Sequence, residues 1–208
     1  LINDASKLIV FHDSILPKYR GFNPLVTSLI NGDTEIGVTA LKASLEYDKG
    51  EIIQQEKINI NYPIKIEKAI DKISNCYAKL LNSVLDKILN KILNSQPQDE
   101  SLATYSLWRD NYDYKIDWHS DSNTIKRFID AVGYPYKGAF TYLDDNKILI
   151  KESKIVNDVK ISNRKPGKVI FKEQNNYTIV CGKGLLKVAE FFNEEGVKVD
   201  LKRFRLRF

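Results

Sequence analysis

Residues 12–21 read His-Asp-Ser-Ile-Leu-Pro-Lys-Tyr-Arg-Gly and follow the short run Lys7-Leu8-Ile9-Val10-Phe11. A brief apolar, β-branched run of this kind reads as a buried strand. It delivers His12 to the strand's C-terminal end, where open α/β sheets place their sites. The chain turns between Pro17 and Gly21, and Pro24 then suits the first turn of a helix ending near Gly32. Val38 to Leu45 predicts a second strand. Asp48-Lys49-Gly50 turns the chain into Ile52-Ile53, a third.

His12 and Asp48 lie 36 positions apart, and each is followed at once by a Pro- or Gly-containing turn. Brought together, they form an acid–base pair. Taken singly, each has a plainer explanation. A histidine after a strand is more often a structural hydrogen-bonder than a catalyst, and an isolated Asp-x-Gly is usually just a turn.

Outward from this stretch, Ala69, Ile70, Ile73, Tyr77, Leu80, Leu81, Val84, Leu85, Ile88, Ile92 and Leu93 recur at helical spacing. They predict one long helix from about Ile66 to Asn94 with this face in the core. A first domain therefore covers residues 1–94, and 95–112, with its Gln96-Pro97-Gln98-Asp99, reads as a linker. In 113–208, Ile125, Phe128, Ile129 and Val132 predict a short helix, capped by Ser120 or Ser122 and stopped by Gly133. Five strands follow, at Gly138–Leu143, Lys147–Ile155, Gly167–Phe171, Tyr177–Cys181 and Leu185–Phe191, with turns at Asp144-Asp145-Asn146, Asn175-Asn176 and Gly182-Lys183-Gly184. This count fits a small OB-like β-barrel. The terminal Lys202–Arg207 alternates charged and apolar residues as an edge strand does.

A chain of 208 residues with 43% hydrophobic content suits a globular core. No run approaches ~18 apolar residues, so no membrane partner is expected, and no signal peptide opens the chain. Cys76 and Cys181 do not suggest a disulfide framework, which fits a cytoplasmic setting. With no methionine, the chain reads as a piece of a longer protein. Residues 113–208 hold 19 Lys and Arg against 13 Asp and Glu, so the basic excess lies there. That fits a polyanionic partner such as tRNA or a nucleotide diphosphate, and it fits a solvated lysine-rich surface at least as well, because the lysines are scattered. Two histidines and two distant cysteines give no zinc-type spacing, so no metal is expected.

The motifs HDSILPKYRG, INGDTEIGVT (residues 30–39) and DKGEIIQQ (48–55) closely resemble the folate-dependent formyltransferase family. That family includes methionyl-tRNA formyltransferase and the N-formyltransferases of nucleotide-linked amino sugars. The resemblance continues through QDESLATYS (98–106), IDW (116–118) and the IKRFIDA helix (125–131). It implies an α/β fold: the C-terminal part of a Rossmann-like formyltransferase domain, then the OB-like barrel. It also implies that the family's catalytic domain begins with further parallel α/β sheet before this chain starts.

By this resemblance the chain is an enzyme that uses 10-formyltetrahydrofolate as formyl donor. His12 and Asp48 correspond to two members of the family's Asn-His-Asp set; the asparagine position is occupied by Val10. Ser14, Leu16, Pro17 and Tyr47 are expected on the donor side. Tyr19, Arg20 and Gly21 are expected on the acceptor side, with Asn23 or a backbone N–H as the substitute oxyanion donor. The segment AVGYPYKGAF (131–140) resembles the sugar-enzyme versions, so a nucleotide-linked amino sugar is the first acceptor expected; Tyr134, Tyr136 and Trp118 are candidates to stack on it, with ordinary packing in the small barrel as the plainer explanation. Initiator tRNA is the alternative acceptor, and a non-catalytic binding module the alternative class. A homodimer is the oligomer to test.

Overall fold

The computed structural model describes residues 8–208, so Lys7 of the opening run lies outside the described residues. The chain divides into two compact units between Trp108 and Arg109.

The first unit contains β1 (Ile9–His12), β2 (Arg20–Gly21), α1 (Pro24–Asn31), β3 (Glu35–Lys42), β4 (Ile52–Asn59), α2 (Ile66–Leu89) and β5 (Tyr105–Ser106). Its sheet has the order β1-β3-β4 and is antiparallel throughout. Among the described residues the parallel sheet of a Rossmann-like domain is not seen. The segment 43–51 joins β3 to β4 and is too short for the crossover that parallel pairing needs. Among the described residues of this unit, the single parallel strand pair is the two-residue match of β2 with β5.

Pro24 opens α1 as its spacing predicts, and Gly32 caps it with its N–H on the carbonyls of Ser28 and Leu29. Helix α2 packs its Ile66, Ala69, Ile73, Cys76, Leu80 and Val84 seam inward. The predicted stripe was wider than the true one: Leu81, Leu85 and Ile88 are exposed. A step of about 100° per residue carries Leu81 and Leu85 onto the flank of the helix, away from that seam.

Much of the segment expected as a linker runs along the first unit. Ile52 and Gln96 exchange N–H···O bonds of 2.8 and 2.9 Å, and Tyr105–Ser106 forms β5 beside β2.

In the second unit α3 (Ser122–Ala131) precedes β6 (Ala139–Leu143), β7 (Asn146–Ile150), β8 (Lys154–Val156), β9 (Val169–Glu173), β10 (Asn176–Val180), β11 (Leu185–Val188), β12 (Phe191–Phe192) and β13 (Lys198–Val199). The α3 cap is Asp121, not a serine: its carboxylate accepts from the N–H groups of Asn123 and Thr124. These strands form two four-stranded sheets, β8-β11-β10-β9 and β13-β12-β7-β6, rather than one closed OB-like barrel. The reason lies in two interruptions. Lys147–Ile155 breaks at residues 151–153 and Leu185–Phe191 at 189–190, so each run gives one strand to each sheet. Bends of this sort make the corners of two-sheet packings. The expected terminal strand reduces to a single bridge of Arg207 with Lys168.

Trp118 is buried and donates its indole N–H to Thr141 Oγ1 at 3.0 Å, so its ring is a packing element rather than a stacking platform. Tyr134 is exposed. Among the described residues no helix is long and apolar enough to cross a membrane.

Candidate active site

Strand alternation fixes the first relation. His12 ends β1 opposite Thr39, and Val10 sits two residues earlier opposite Leu41, so Val10 and His12 point to the same face. The loop after His12 is then held by polar groups. Thr39, fully buried, donates its hydroxyl to the Ser14 carbonyl at 2.6 Å and accepts the Leu16 N–H at 3.1 Å. Gln55 donates to the Leu16 carbonyl at 2.8 Å and to Thr39 Oγ1 at 2.9 Å. Ser14 Oγ closes the turn on the Lys18 carbonyl at 2.7 Å. Tyr77 of α2 donates to Asp13, and burial with that contact pushes its phenol well above the ordinary tyrosine range.

The Asp48 turn meets this loop. His12 Nδ1 stands 3.6 Å from Asp48 Oδ1, and the two side chains are 10% and 16% exposed. Asp48 Oδ2 accepts the Gly21 N–H at 2.8 Å. His12 Nε2 lies 2.9 Å from the Tyr19 carbonyl. The carbonyl can only accept, so Nε2 carries a proton there and any proton exchanged with Asp48 passes through Nδ1.

Asp48 adopts a left-handed φ of 56°, which aspartate tolerates better than most residues. Gly50 is forced: a Cβ there would come within 1.7 Å of the Lys42 carbonyl oxygen. Gly21 is forced as well, at φ 100° with the Ser106 carbonyl oxygen 2.6 Å from an added Cβ.

The other expected site residues separate into groups. Ser14, Leu16, Pro17 and Tyr19 line one cavity of about 440 Å³, together with Asp33 and Gln55; neither His12 nor Asp48 is part of its lining. Tyr19 donates its hydroxyl to Asp33 at 2.8 Å and its N–H to Thr104 Oγ1 at 2.9 Å; burial lifts its pKa above the usual value. Expected donor-side and acceptor-side residues thus share one wall. Tyr47 is 85% exposed and stands apart from that cavity.

The Arg20 side chain is fully enclosed. Its guanidinium donates to both Glu100 oxygens at 2.9 and 2.7 Å and to Gln98 Oε1. Glu100 holds Arg20 above its ordinary pKa, and Arg20 holds Glu100 below its own. Asn23 sits at the N-cap of α1 in the left-handed region with no side-chain capping bond, and among the described residues it bonds neither His12 nor Asp48. No cluster of three or more metal-ligating side chains occurs among the described residues.

Thr39, Gln55, Gln98 and Glu100 escaped the sequence reading as individual residues. One signal for Thr39 was present: a lone hydroxyl within the buried run Ile36–Leu41 implies a hydrogen-bonding duty.

Residues 1–85 match the formyl transferase family model, and residues 110–207 match that of the formyl transferase C-terminal domain. The chain belongs to the formyl transferase family. A methionyl-tRNA formyltransferase of Lachnospira eligens is 30% identical over 196 residues, 93% of this chain and 62% of that protein. This chain therefore spans about three fifths of that curated relative. An N-formyltransferase of Helicobacter canadensis, solved in complex with folinic acid and dTDP-3-aminofucose, superposes with a TM-score of 0.69 at 23% identity, covering 90% of this chain and 67% of the other. A 4-N formyltransferase of Francisella tularensis gives a TM-score of 0.59 at 27% identity over 68% of this chain and 60% of its own.

Proposed function

We propose that this formyl transferase family member carries the acid–base centre of an N-formyltransferase, moving the formyl group of 10-formyltetrahydrofolate onto the amine of a nucleotide-linked amino sugar. The observation that carries this reading is the meeting of His12 and Asp48, from turns 36 residues apart, at 3.6 Å.

The neutral amine attacks the formyl carbon, and an oxyanion develops on the formyl oxygen. His12 presents its Nε2 proton to that oxygen in exchange for the Tyr19 carbonyl, while Asp48 balances the imidazole through Nδ1. Asp48 also receives the proton shed by the attacking amine, directly or through a water, and that proton passes on to the folate nitrogen as it leaves, which returns Asp48 to its carboxylate. The loop cavity beside Ser14, Leu16 and Pro17 offers room for part of the donor. The free buried cysteines support a cytoplasmic setting.

Two observations favour other readings. The 30% identity to a methionyl-tRNA formyltransferase, with the basic second half, supports charged initiator tRNA as acceptor. Val10 in the asparagine position supports a binding module without turnover. The deciding assay incubates the full-length protein with 10-formyltetrahydrofolate and either nucleotide-linked amino sugars or charged initiator tRNA. Formylation of the sugar is expected; formylation of tRNA alone removes the sugar reading. Folate binding without transfer to any amine favours the binding module. Val10→Asn then tests the missing donor: because Val10 shares a face with His12, the substitution is expected to raise kcat, by up to ~10²-fold for one oxyanion donor.

A further inference from the structure

We infer that Gln98, oriented by Arg20, is a positioning residue that sets Asp48 against His12; this rests on reading His12 and Asp48 as the transfer centre. Packing does little to hold the N-terminal side of the turn that carries Asp48. The residues before it, Leu45 and Tyr47, are 102% and 85% exposed. Yet Asp48 is held in a left-handed conformation that side chains seldom adopt. Gln98 supplies the restraint. Its Nε2 donates to the Asp48 carbonyl at 2.7 Å and to the Gly50 carbonyl at 2.8 Å, gripping the backbone on both sides of Lys49.

The amide can face only one way. Its Oε1 accepts from Arg20 Nε at 3.2 Å and Nη2 at 2.7 Å. A flip would set NH₂ against guanidinium donors and the amide oxygen against two carbonyl oxygens. Every hydrogen-bonding position of Gln98 is then used. Arg20 is itself locked by Glu100. The neighbouring Gly21 N–H completes a closed loop, for it binds the Asp48 carboxylate that Gln98 steadies from the backbone side. Residues 20–21 thus grip Asp48 twice, once through Gly21 and once through Arg20 and Gln98. Neither Gln98 nor Arg20 bonds His12 among the described residues.

The test uses the full-length protein with Gln98→Leu, which loses both roles, and Gln98→Glu, which keeps the acceptor for Arg20 and loses the donors to the turn. Asp48→Asn is the comparator. Two quantities are measured: kcat and KM for the formylated amine, and the His12 titration midpoint by ¹⁵N NMR, assigned with His12→Gln. Both Gln98 variants are expected to fold and to lose kcat by up to ~10²-fold, as misplacement of a catalytic group does, with acceptor KM unchanged. Their His12 midpoint is expected to move in the same direction as in Asp48→Asn. A folded Gln98 variant in which either kcat or the His12 midpoint stays at the wild-type value overturns the inference. Unfolding of both variants also overturns it, since Gln98 would then hold the fold rather than the site. Failure of the underlying reading looks different: Asp48→Asn itself would leave kcat and the His12 midpoint unmoved.

Discussion

Around His12 the chain is held by hydrogen bonds between segments far apart in sequence, while the second unit is held by interlocking apolar side chains. Thr39, Gln55 and Gln98 together make seven bonds to the loop of residues 12–21 and to the Asp48 turn. In the second unit Tyr177 meets Phe191 edge-on at 5.4 Å, and Phe191 stacks on Phe208 at 5.3 Å. Ile150, Ile179, Leu186 and Val188 are fully enclosed in that unit. Polar bonds have direction, so they can fix where a functional group points. Apolar contacts are non-directional and chiefly stabilise. Substitutions in the two regions should therefore fail in different ways.

The largest expected effect tests the polar region. His12→Ala and Asp48→Asn should each lower formyl transfer by ~10²–10⁴-fold, the usual contribution of a positioned acid or base, with thermal stability nearly unchanged. A large loss of stability in either would break the contrast. Phe191→Ala should do the reverse. It removes a buried ring and should destabilise the second unit by ~3–5 kcal/mol in denaturant unfolding, with the His12 titration left intact. Thr39→Val lies between the two. It leaves the Leu16 N–H and the Ser14 carbonyl without their partner, which costs ~1–3 kcal/mol, and it should lower transfer as well because the loop loses its anchor.

The smallest effect concerns pH. Burial pushes the Cys181 thiol up to about 12 from an ordinary value of 9.0. Since the folded value is the higher one, the native state keeps a proton that the unfolded chain sheds. The stability contribution is therefore complete below about pH 9 and falls as pH rises toward 12. Between pH 9 and 10 the loss approaches ~1 kcal/mol. Cys181→Ala, followed by urea unfolding at pH 7, 9 and 10, should flatten that part of the alkaline decline and leave stability at neutral pH little changed.

Elements built from local periodicity and turn chemistry are legible in the sequence. Pro24 and Gly32 bracket α1, and Gly182-Lys183-Gly184 turns β10 into β11, where Cys181 N–H meets the Gly184 carbonyl at 3.2 Å. The spacing of α2 showed a helix, but which of two adjacent apolar stripes is buried depends on what the helix rests against. The runs Lys147–Ile155 and Leu185–Phe191 likewise looked like single strands, because nothing in the local pattern shows that pairing partners change midway.

The sequence by itself determined the family motifs, the candidacy of His12 and Asp48, and the turn that follows the aspartate. Those properties reside in short stretches where residue type dictates local chemistry. Only the tertiary structure decided that Arg20 is an enclosed anchor, that Tyr47 stands in solvent, and that Gln98 reaches back across 50 residues to hold the Asp48 backbone. A hydrogen bond between distant segments leaves no periodic trace in the chain, because its geometry exists only once the strands that carry its two ends have paired.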